Sequence, residues 1–362
     1  MVSPVEVTAT VALASGGTAS TSAEYNNPRG ALLEANGNIY VPLSSHCDYN
    51  GGNTHGWILA YANTTLAMTG NAVDTTNAAG KDQYLGTIWM SGFGPAADSS
   101  GNIYFTTGNG VYDGTSSFAM SALKLPGNLD ISKASVFTPY GELADSNADA
   151  DLGSGGVVVL PTLSGAYPRA LILGGKCGAG SANGGTQGCQ KYILNRDSMG
   201  GFHSGDSGAL WQSNIAGGMW GGPATFQDAN GTNYVVYGSG SPLSTYTLSV
   251  NPLGLTVQSS GYVGCLECRD TGSQPIVSSN GTTPGTAVAW AIKTASGSGG
   301  NLTLYAFDAL NMSHVLFTGV GGPWTVAPGA SYIGGALISP TVANGHVYLP
   351  FDGGVAVFGV AP

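Results

Sequence analysis

A hairpin pattern that recurs along the chain constrains its fold more than any other feature. Each copy joins two short strands through a turn with Asn-Gly or Ser-Gly, and the second strand alternates apolar residues at a period of two. The copies are EANGNIYVPL (34–43), DSSGNIYFTTG (98–108), DANGTNYVVYG (228–238), SSNGTTPGTAVAWAI (278–292) and VANGHVYLPF (342–351). Because Asn-Gly tolerates positive φ at both central positions, these turns predict type I′ hairpins.

A third strand follows each hairpin after a variable loop, so the unit repeats about every 60 residues. The region 157–175 lacks the Asn-Gly turn but fits the same series, which makes six units. Antiparallel sheets of this length bury both faces by stacking around an axis, which favours a β-propeller over two stacked β-sandwiches. We therefore predict an all-β chain that forms a single propeller domain over 1–362, with six four-stranded blades. The predicted blades lie near 27–68, 90–125, 152–197, 216–250, 272–310 and 333–362.

The N-terminal stretch, 1–26, contains the lone strand-like segment VEVTATVAL (5–13). The chain ends on two strand-like segments, GHVYLPF and GVAVFGV. We therefore predict that the N-terminal strand completes the last blade and closes the ring, with a linker leading into the first blade.

Composition excludes some partners. The 10 Lys and Arg residues and the net charge of −10 argue against nucleic acid, whose phosphates need clustered cations. The apolar runs are shorter than the roughly 18 to 20 residues that span a bilayer, so no membrane span is predicted. The Cys177 and Cys189 spacing suits a disulfide, and five Asn-x-Ser/Thr triplets are compatible with export, which predicts a secreted or periplasmic protein. If Cys265 pairs with Cys268, Cys47 is the odd cysteine.

Two polar stretches are candidate sites. DSNADADLGSGG (145–156) gathers three carboxylates in a chain with only 8% charged residues. It can be a solvated loop, a structural Ca²⁺ loop, a quinone site or another ligand site. HCDYNGGNTHGW (46–57) offers His46, Cys47, Asp48 and His55, which could bind a transition metal or belong to a long polar loop, with Cys47 as a buried thiol.

The repeats resemble the PQQ-like propellers, the superfamily of the quinoprotein alcohol dehydrogenases. GNIYFTTGNG (101–110), KYILNRD (191–197) and LYAFDAL (304–310) are similar to its blades, and the likeness covers nearly all of the chain. Many members of this superfamily are scaffolds without a cofactor, so the resemblance implies the fold before it implies an activity.

The resemblance also implies site residues. Asn109 in TTGN matches a metal-binding Asn, and ADADLGSGG matches the catalytic motif with Asp149 as the base and Asp151 as a metal ligand. Ala148 stands where that motif has Trp, and Asp48 stands where the family has an acidic metal ligand, usually Glu. The implied cofactor is PQQ with Ca²⁺ or a lanthanide, because hard oxygen ligands suit these ions.

Two further positions match the quinone side of the site. Lys176 in LILGGKCG corresponds to a basic residue at the quinone oxygens, and Trp89 in LGTIWMSG corresponds to the ring on which the quinone lies. In the family, a disulfide between two adjacent cysteines covers the other face of the quinone. This sequence departs from the family because it has no adjacent Cys-Cys pair. It also has no C-x-x-C-H haem motif, since Arg269 follows CLEC.

Three functions follow. The first is a secreted dehydrogenase that oxidises small alcohols or sugars with a metal-bound quinone. The second is a non-catalytic propeller that binds a protein or a polysaccharide. The third is a hydrolase or lyase that uses the acidic funnel without a quinone.

Overall fold

A computed structural model of the chain shows an all-β protein. It describes residues 3–14, 16–46, 48, 54–77, 85–177, 189–214, 218, 221–238, 242–261, 274–293, 300–324 and 338–359. The chain divides into two compact units, Met1–Ile215 and Ala216–Pro362.

The first unit begins with a small hairpin and an antiparallel sheet. The hairpin pairs β1 (Thr10–Ala12) with β2 (Thr18–Ser20). The first sheet has the order β3-β5-β6-β7, and β4 also pairs with β5. Its strands are β3 (Asn26–Asn27), β4 (Leu33–Ala35), β5 (Asn38–Ser45), β6 (Trp57–Ala62) and β7 (Met68–Asp74).

Two more sheets complete the described part of this unit. The second has the order β15-β11-β10-β9-β8, and β11 and β15 run parallel. The third has the order β12-β13-β14-β16 and is antiparallel. Their strands are β8 (Ala96–Ala97), β9 (Ile103–Thr106), β10 (Ala122–Leu125), β11 (Ser135–Thr138), β12 (Val157–Val159), β13 (Ala170–Gly174), β14 (Lys191–Asn195), β15 (Gly201–Phe202) and β16 (Trp211–Ser213).

The second unit contains three antiparallel sheets among its described residues. Their orders are β17-β18-β19-β20, β21-β22-β23-β24 and β25-β26-β27. The strands are β17 (Ala224–Gln227), β18 (Asn233–Gly238), β19 (Leu243–Val250), β20 (Leu253–Gly261), β21 (Ile276–Ser278), β22 (Val288–Lys293), β23 (Gly300–Asp308), β24 (Asn311–Trp324), β25 (Thr341–Ala343), β26 (His346–Phe351) and β27 (Gly354–Gly359).

Helices are short and few among the described residues. The α-helix α1 covers Glu142–Asn147, and 3₁₀ turns cover Ile131–Lys133, Leu152–Ser154 and Ser204–Asp206. Across the described part of the chain, no helix is long and apolar enough to cross a membrane.

The five predicted hairpin turns do not share one geometry. Asn36-Gly37 and Asn344-Gly345 have positive φ at both positions, which confirms the type I′ geometry there. In DANGTNY the prediction is wrong, because only Gly231 has positive φ and the Asp228 carboxylate accepts bonds from the backbone N–H groups of Asn230 and Thr232. DSSGNIY repeats this arrangement with Asp98. In SSNGTTPG the prediction is also wrong, because only Gly281 of the Asn-Gly pair has positive φ.

Buried strands supply the cores. In the first unit one core cluster joins residues of all three sheets, including Tyr40, Phe105 and Leu171, all fully buried. β13 (ALILG) is buried at all five residues, so it reads as a continuous apolar run instead of alternating. In the second unit, Val236 and Phe307 belong to one cluster and Leu304 and Leu349 to another.

The N-terminal strand does not take the place that we predicted. Among the described residues, β1 pairs with β2, and the last sheet consists of β25, β26 and β27 alone. Val11 instead packs with Val41 and Trp57 of the first sheet, because the apolar side of the hairpin is buried there. The described sheets hold two to five strands and not uniformly four. The single ring of six blades stays a prediction.

Candidate functional site

The acidic segment 145–156 is more ordered than the loop that we predicted. Helix α1 ends at Asn147, and the Leu152–Ser154 turn follows Asp151. Between them Asp149 adopts φ of +55°, a left-handed conformation that is uncommon outside glycine. The turn leaves the Asp149 side chain 63% exposed and the Asp151 side chain 3% exposed. The two carboxylates therefore have opposite environments although only one residue separates them.

Lys176 bridges these two carboxylates. It follows strand β13, and its backbone N–H donates to Ser154 Oγ at 2.8 Å and lies 3.1 Å from the Asp151 carbonyl oxygen. Its Nζ lies 2.7 Å from Asp149 Oδ1 and 2.6 Å from Asp151 Oδ2. Backbone bonds thus fix the lysine, and its charge-assisted hydrogen bonds are short.

Asn109 joins the same cluster from the end of β9. Its backbone N–H donates to Asp151 Oδ1 at 2.6 Å, and its Nδ2 donates to Asp149 Oδ1 at 2.9 Å. Its side-chain oxygen, Oδ1, is buried and has no hydrogen-bond partner. A buried polar atom without a partner costs free energy, so this oxygen is suited to a ligand.

Asp48 approaches from the end of β5, also in the left-handed region with φ of +49°. Its Oδ1 accepts bonds from Ser45 Oγ at 2.8 Å and Trp89 Nε1 at 3.2 Å, and Thr87 Oγ1 lies at 3.4 Å. One carboxylate oxygen each from Asp48, Asp149 and Asp151 lies within 4.8 Å of the others. The structure therefore brings together all six residues that the resemblance implied.

Burial and charge act in opposite directions on these groups. Burial raises the pKa of Asp151 to about 6, although the Lys176 ammonium opposes the shift. Burial also raises the pKa of Asp48. For Lys176, burial lowers the pKa, but Asp151 and Asp149 more than offset it, so the pKa is raised. With three ionised carboxylates and one ammonium, the cluster carries a net charge of −2.

The described residues of HCDYNGGNTHGW do not form a transition-metal group. His46 is exposed, and His55 is buried with its Nδ1 at 3.1 Å from Asp74 Oδ1. Within the described ranges, the only His, Cys, Asp and Glu residues placed to share a metal are the three aspartates of the cluster. Cys47 lies outside the described residues.

One disulfide is described. Cys177 pairs with Cys189, as their spacing predicted, with Cα atoms 4.4 Å apart. Cys177 directly follows Lys176, so the disulfide begins next to a residue of the candidate site. Cys265 and Cys268 lie outside the described residues.

Sequence reasoning missed several supporting residues. Ser45 and Thr87 hold Asp48, and Ser154 accepts the Lys176 N–H. The Arg29 guanidinium lies 5.5 Å from the centre of the Trp89 ring, in cation–π range. The Ser-rich strand end LSSHCD was a usable signal for Ser45, whereas nothing near Arg29 in the sequence points to Trp89.

The oxygen donors define what this site can bind. Carboxylate and amide oxygens are hard ligands, and their net charge of −2 favours a multivalent cation. The buried Asn109 Oδ1 supplies a neutral donor beside the three carboxylates. These residues fit Ca²⁺ or a lanthanide ion and lack the His and Cys ligands that zinc prefers.

Comparisons with known proteins give distant structural likeness only. No family model matches the chain, and no curated protein matches it. A europium-containing methanol dehydrogenase has a TM-score of 0.47 at 14% identity, over 81% of this chain and 61% of that one. The Dos1 propeller has a TM-score of 0.45 at 11% identity, over 90% and 82% of the two chains. A Lactobacillus plantarum protein has a TM-score of 0.43 at 12% identity, over 95% and 84%. The chain thus spans less than two thirds of that dehydrogenase, and these likenesses assign neither a family nor an activity.

Proposed function

We propose that the cluster holds Ca²⁺ or a lanthanide beside PQQ, in a secreted or periplasmic dehydrogenase that oxidises alcohols or sugars. One observation carries the proposal. The Asp48, Asp149 and Asp151 carboxylates, the Asn109 amide and the Lys176 ammonium meet from four separate stretches of the chain. Such convergence keeps three carboxylates close together at an electrostatic cost, which is typical of functional sites.

The metal would be held mainly by Asp48, Asp151 and Asn109 Oδ1. Asp151 is suited to this role because it is buried, and the Asn109 backbone N–H fixes one of its oxygens. The free Asn109 Oδ1 would gain the partner that it lacks. An ion bound there would also offset the repulsion between the Asp48 and Asp151 carboxylates.

A flat anionic quinone would bind beside two cations, Lys176 and Arg29, and one aromatic ring, Trp89. The Trp89 indole is half-buried, and Arg29 lies over it at 5.5 Å from the ring centre. Trp89 Nε1 donates to Asp48, so the indole edge lies directly at the acidic cluster that contains Lys176. If bound there, the quinone would supply the two-electron oxidant for the alcohol.

Asp149 is the group that would remove the alcohol proton. Its side chain is 63% exposed, so a substrate can reach it, whereas the Asp151 carboxylate is enclosed. Lys176 Nζ and Asn109 Nδ2 both bond Asp149 Oδ1 and orient the carboxylate. General-base catalysis of this kind contributes about 10²- to 10⁴-fold to the rate.

Reconstitution tests this function. The purified protein is mixed with PQQ and either Ca²⁺ or La³⁺, and quinone absorbance and dye reduction are followed with a panel of alcohols and sugars. We expect Asp149→Asn to bind PQQ and metal but to lose turnover by about 10²-fold or more. Asp113→Asn is the matched control, since the Asp113 carboxylate accepts N–H bonds only within its own loop.

Two outcomes would contradict the proposal. If PQQ does not bind although the metal does, the cluster is a structural cation site and the dehydrogenase function is wrong. If neither binds, the converging oxygens serve the fold alone. Equal activity of Asp149→Asn and the unchanged protein would remove Asp149 from the role of base.

A further inference from the structure

Three aromatic rings form a shelf on the first unit. The Phe202 ring centre lies 5.2 Å from that of Tyr112 and 5.5 Å from that of Tyr140. The rings are tilted against each other by 44° and 31°. We call Tyr112, Phe202 and Tyr140 the aromatic shelf. Such contacts are typical of packed cores, but here much of the ring surface faces solvent.

Two of the three rings of the aromatic shelf are exposed to solvent. Tyr140 is 55% exposed and Phe202 is 39% exposed, while Tyr112 is half-buried. Contiguous exposed apolar surface in a soluble protein often marks a binding site.

Backbone contacts fix the shelf in place. Phe202 belongs to β15, which pairs in parallel with β11 so that Phe202 lies opposite Thr138, two residues before Tyr140. The Tyr140 N–H donates to Asp206 Oδ1 at 2.6 Å. Tyr112 pairs with Phe118 through an isolated β-bridge. The rings are therefore presented by ordered backbone, which lowers the entropy cost of binding.

The shelf lies next to the candidate site. Tyr112 is three residues from Asn109, so their Cα atoms are within about 11 Å. Gly110 N–H donates to Ser146 Oγ of helix α1 at 3.1 Å, and Asn109 Nδ2 donates to Asp149. Tyr140 shortly precedes the start of α1 at Glu142, and Asp149 shortly follows its end. Two chain connections thus join the shelf to the acidic cluster.

We propose that the aromatic shelf binds uncharged sugar units and presents a sugar hydroxyl toward Asp149. Sugars with equatorial hydroxyls have faces of C–H groups, which pack on aromatic rings through dispersion and the ring quadrupole. The negative charge of the neighbouring cluster disfavours anionic sugars. This inference rests on the proposed function for the reaction, but the binding itself needs neither metal nor quinone.

Calorimetric titration of the full chain with cellotriose, without PQQ or added metal, tests the shelf. We expect saturable binding that Tyr140→Ala and Phe202→Ala each weaken by about threefold to tenfold, the range for one aromatic contact. Tyr140→Trp, which keeps an aromatic ring at this position, should bind cellotriose more tightly than Tyr140→Ala does. Tyr167→Ala is the matched control, because Tyr167 is 45% exposed but belongs to no described ring pair. Trigalacturonic acid, an anionic sugar, should bind much more weakly.

The outcomes separate this inference from the proposed function. Sugar binding that depends on the shelf, together with failure of PQQ reconstitution, would keep the shelf and reject the dehydrogenase. Absence of cellotriose binding, or binding that Tyr140→Ala and Tyr167→Ala change equally, would overturn the shelf even if alcohols are oxidised. Because Phe202→Ala could disturb β15, the more exposed Tyr140 decides the result if that variant misfolds.

Discussion

Two lysines flank the Cys177–Cys189 disulfide, and their pKa values shift in opposite directions. Lys176 precedes Cys177 and forms ion pairs with Asp149 and Asp151. Lys191 follows Cys189 by two residues and is fully buried, and its Nζ donates to the Cys189 carbonyl oxygen at 2.8 Å. The pKa of Lys176 is raised, whereas burial lowers the pKa of Lys191 to about 7.

Burial acts to lower the pKa of both lysines. The pKa of Lys176 is nevertheless raised, because Asp149 and Asp151 lie beside it. At Lys176 the protein keeps an ammonium and the enclosed Asp151 carboxylate charged, at a desolvation cost. At Lys191 the protein buries an amine whose protonation destabilises the folded state. A cluster of charged groups like that at Lys176 is typical of functional sites, whereas a single buried lysine like Lys191 is not.

The largest expected effect is the loss of the Lys176 charge. In metal-free protein at pH 7, Lys176→Met should lower the free energy of unfolding by about 3 to 5 kcal/mol, because the buried Asp151 carboxylate loses its cation. The loss should shrink at pH 4, below the Asp151 pKa of about 6, since the carboxyl group is then neutral. Urea unfolding at both pH values measures this. An equal loss at pH 4 and pH 7 would mean that packing, and not charge, makes Lys176 important.

The second largest expected effect is the loss of the Cys177–Cys189 disulfide, which lies between the two lysines in the sequence. The Cys177→Ser, Cys189→Ser double variant should lose about 3 kcal/mol of unfolding free energy, because the twelve-residue separation constrains the unfolded chain. Since Cys177 directly follows Lys176, metal affinity should also fall. Thermal unfolding with and without Ca²⁺, compared with reduction of the unchanged protein, measures both effects. A stability loss without any change in Ca²⁺ response would show that the disulfide does not support the site.

Lys191→Met should act in the opposite direction. The folded-state pKa of about 7 lies below the usual 10.5, so the charge penalty is full below pH 7 and disappears as pH rises toward 10.5. Removing the amine should therefore stabilise the protein by about 2 kcal/mol at pH 7, after loss of one hydrogen bond, and by less at pH 10.

Lys124→Met is the matched control for this change. Lys124 Nζ also donates to a backbone carbonyl oxygen, that of Arg196, but its side chain is only partly buried. We expect a small effect on the free energy of unfolding. If Lys191→Met destabilises the protein at pH 7, the buried amine is not the liability that its surroundings indicate.

Local chemistry made much of the fold predictable. Period-two alternation and Gly turns located the hairpins, such as β4–β5 at Asn36-Gly37, because these signals act over a few residues. The outer strands were harder to find. β24 carries three glycines and no clean alternation, and the β11–β15 pairing joins segments more than 60 residues apart. The position of the N-terminal strand was missed because a short apolar strand fits several sheet edges equally well.

The candidate site was predicted only through the order of motifs in a resembling family. Spacing alone does not show that Asp48, Asn109 and Asp151 meet, since this depends on how three sheets and their loops are arranged. Lys191 was missed for another reason: KYILN shows lysine at the start of a strand, where a solvent-facing side chain is the usual outcome. Its burial is a tertiary property that no local pattern reports.

Terbium luminescence tests the central claim, that Asp48, Asn109 and Asp151 hold a hard cation, most directly. Because Trp89 Nε1 donates to Asp48 Oδ1 at 3.2 Å, Tb³⁺ bound there should be sensitised by this indole. We predict saturable emission at one equivalent, displaced by La³⁺, and weakened at least tenfold in affinity by Asp151→Asn. Trp89→Phe should keep La³⁺ affinity in calorimetry but lose most of the emission. Emission that is unchanged in both variants would contradict the claim and place the ion elsewhere.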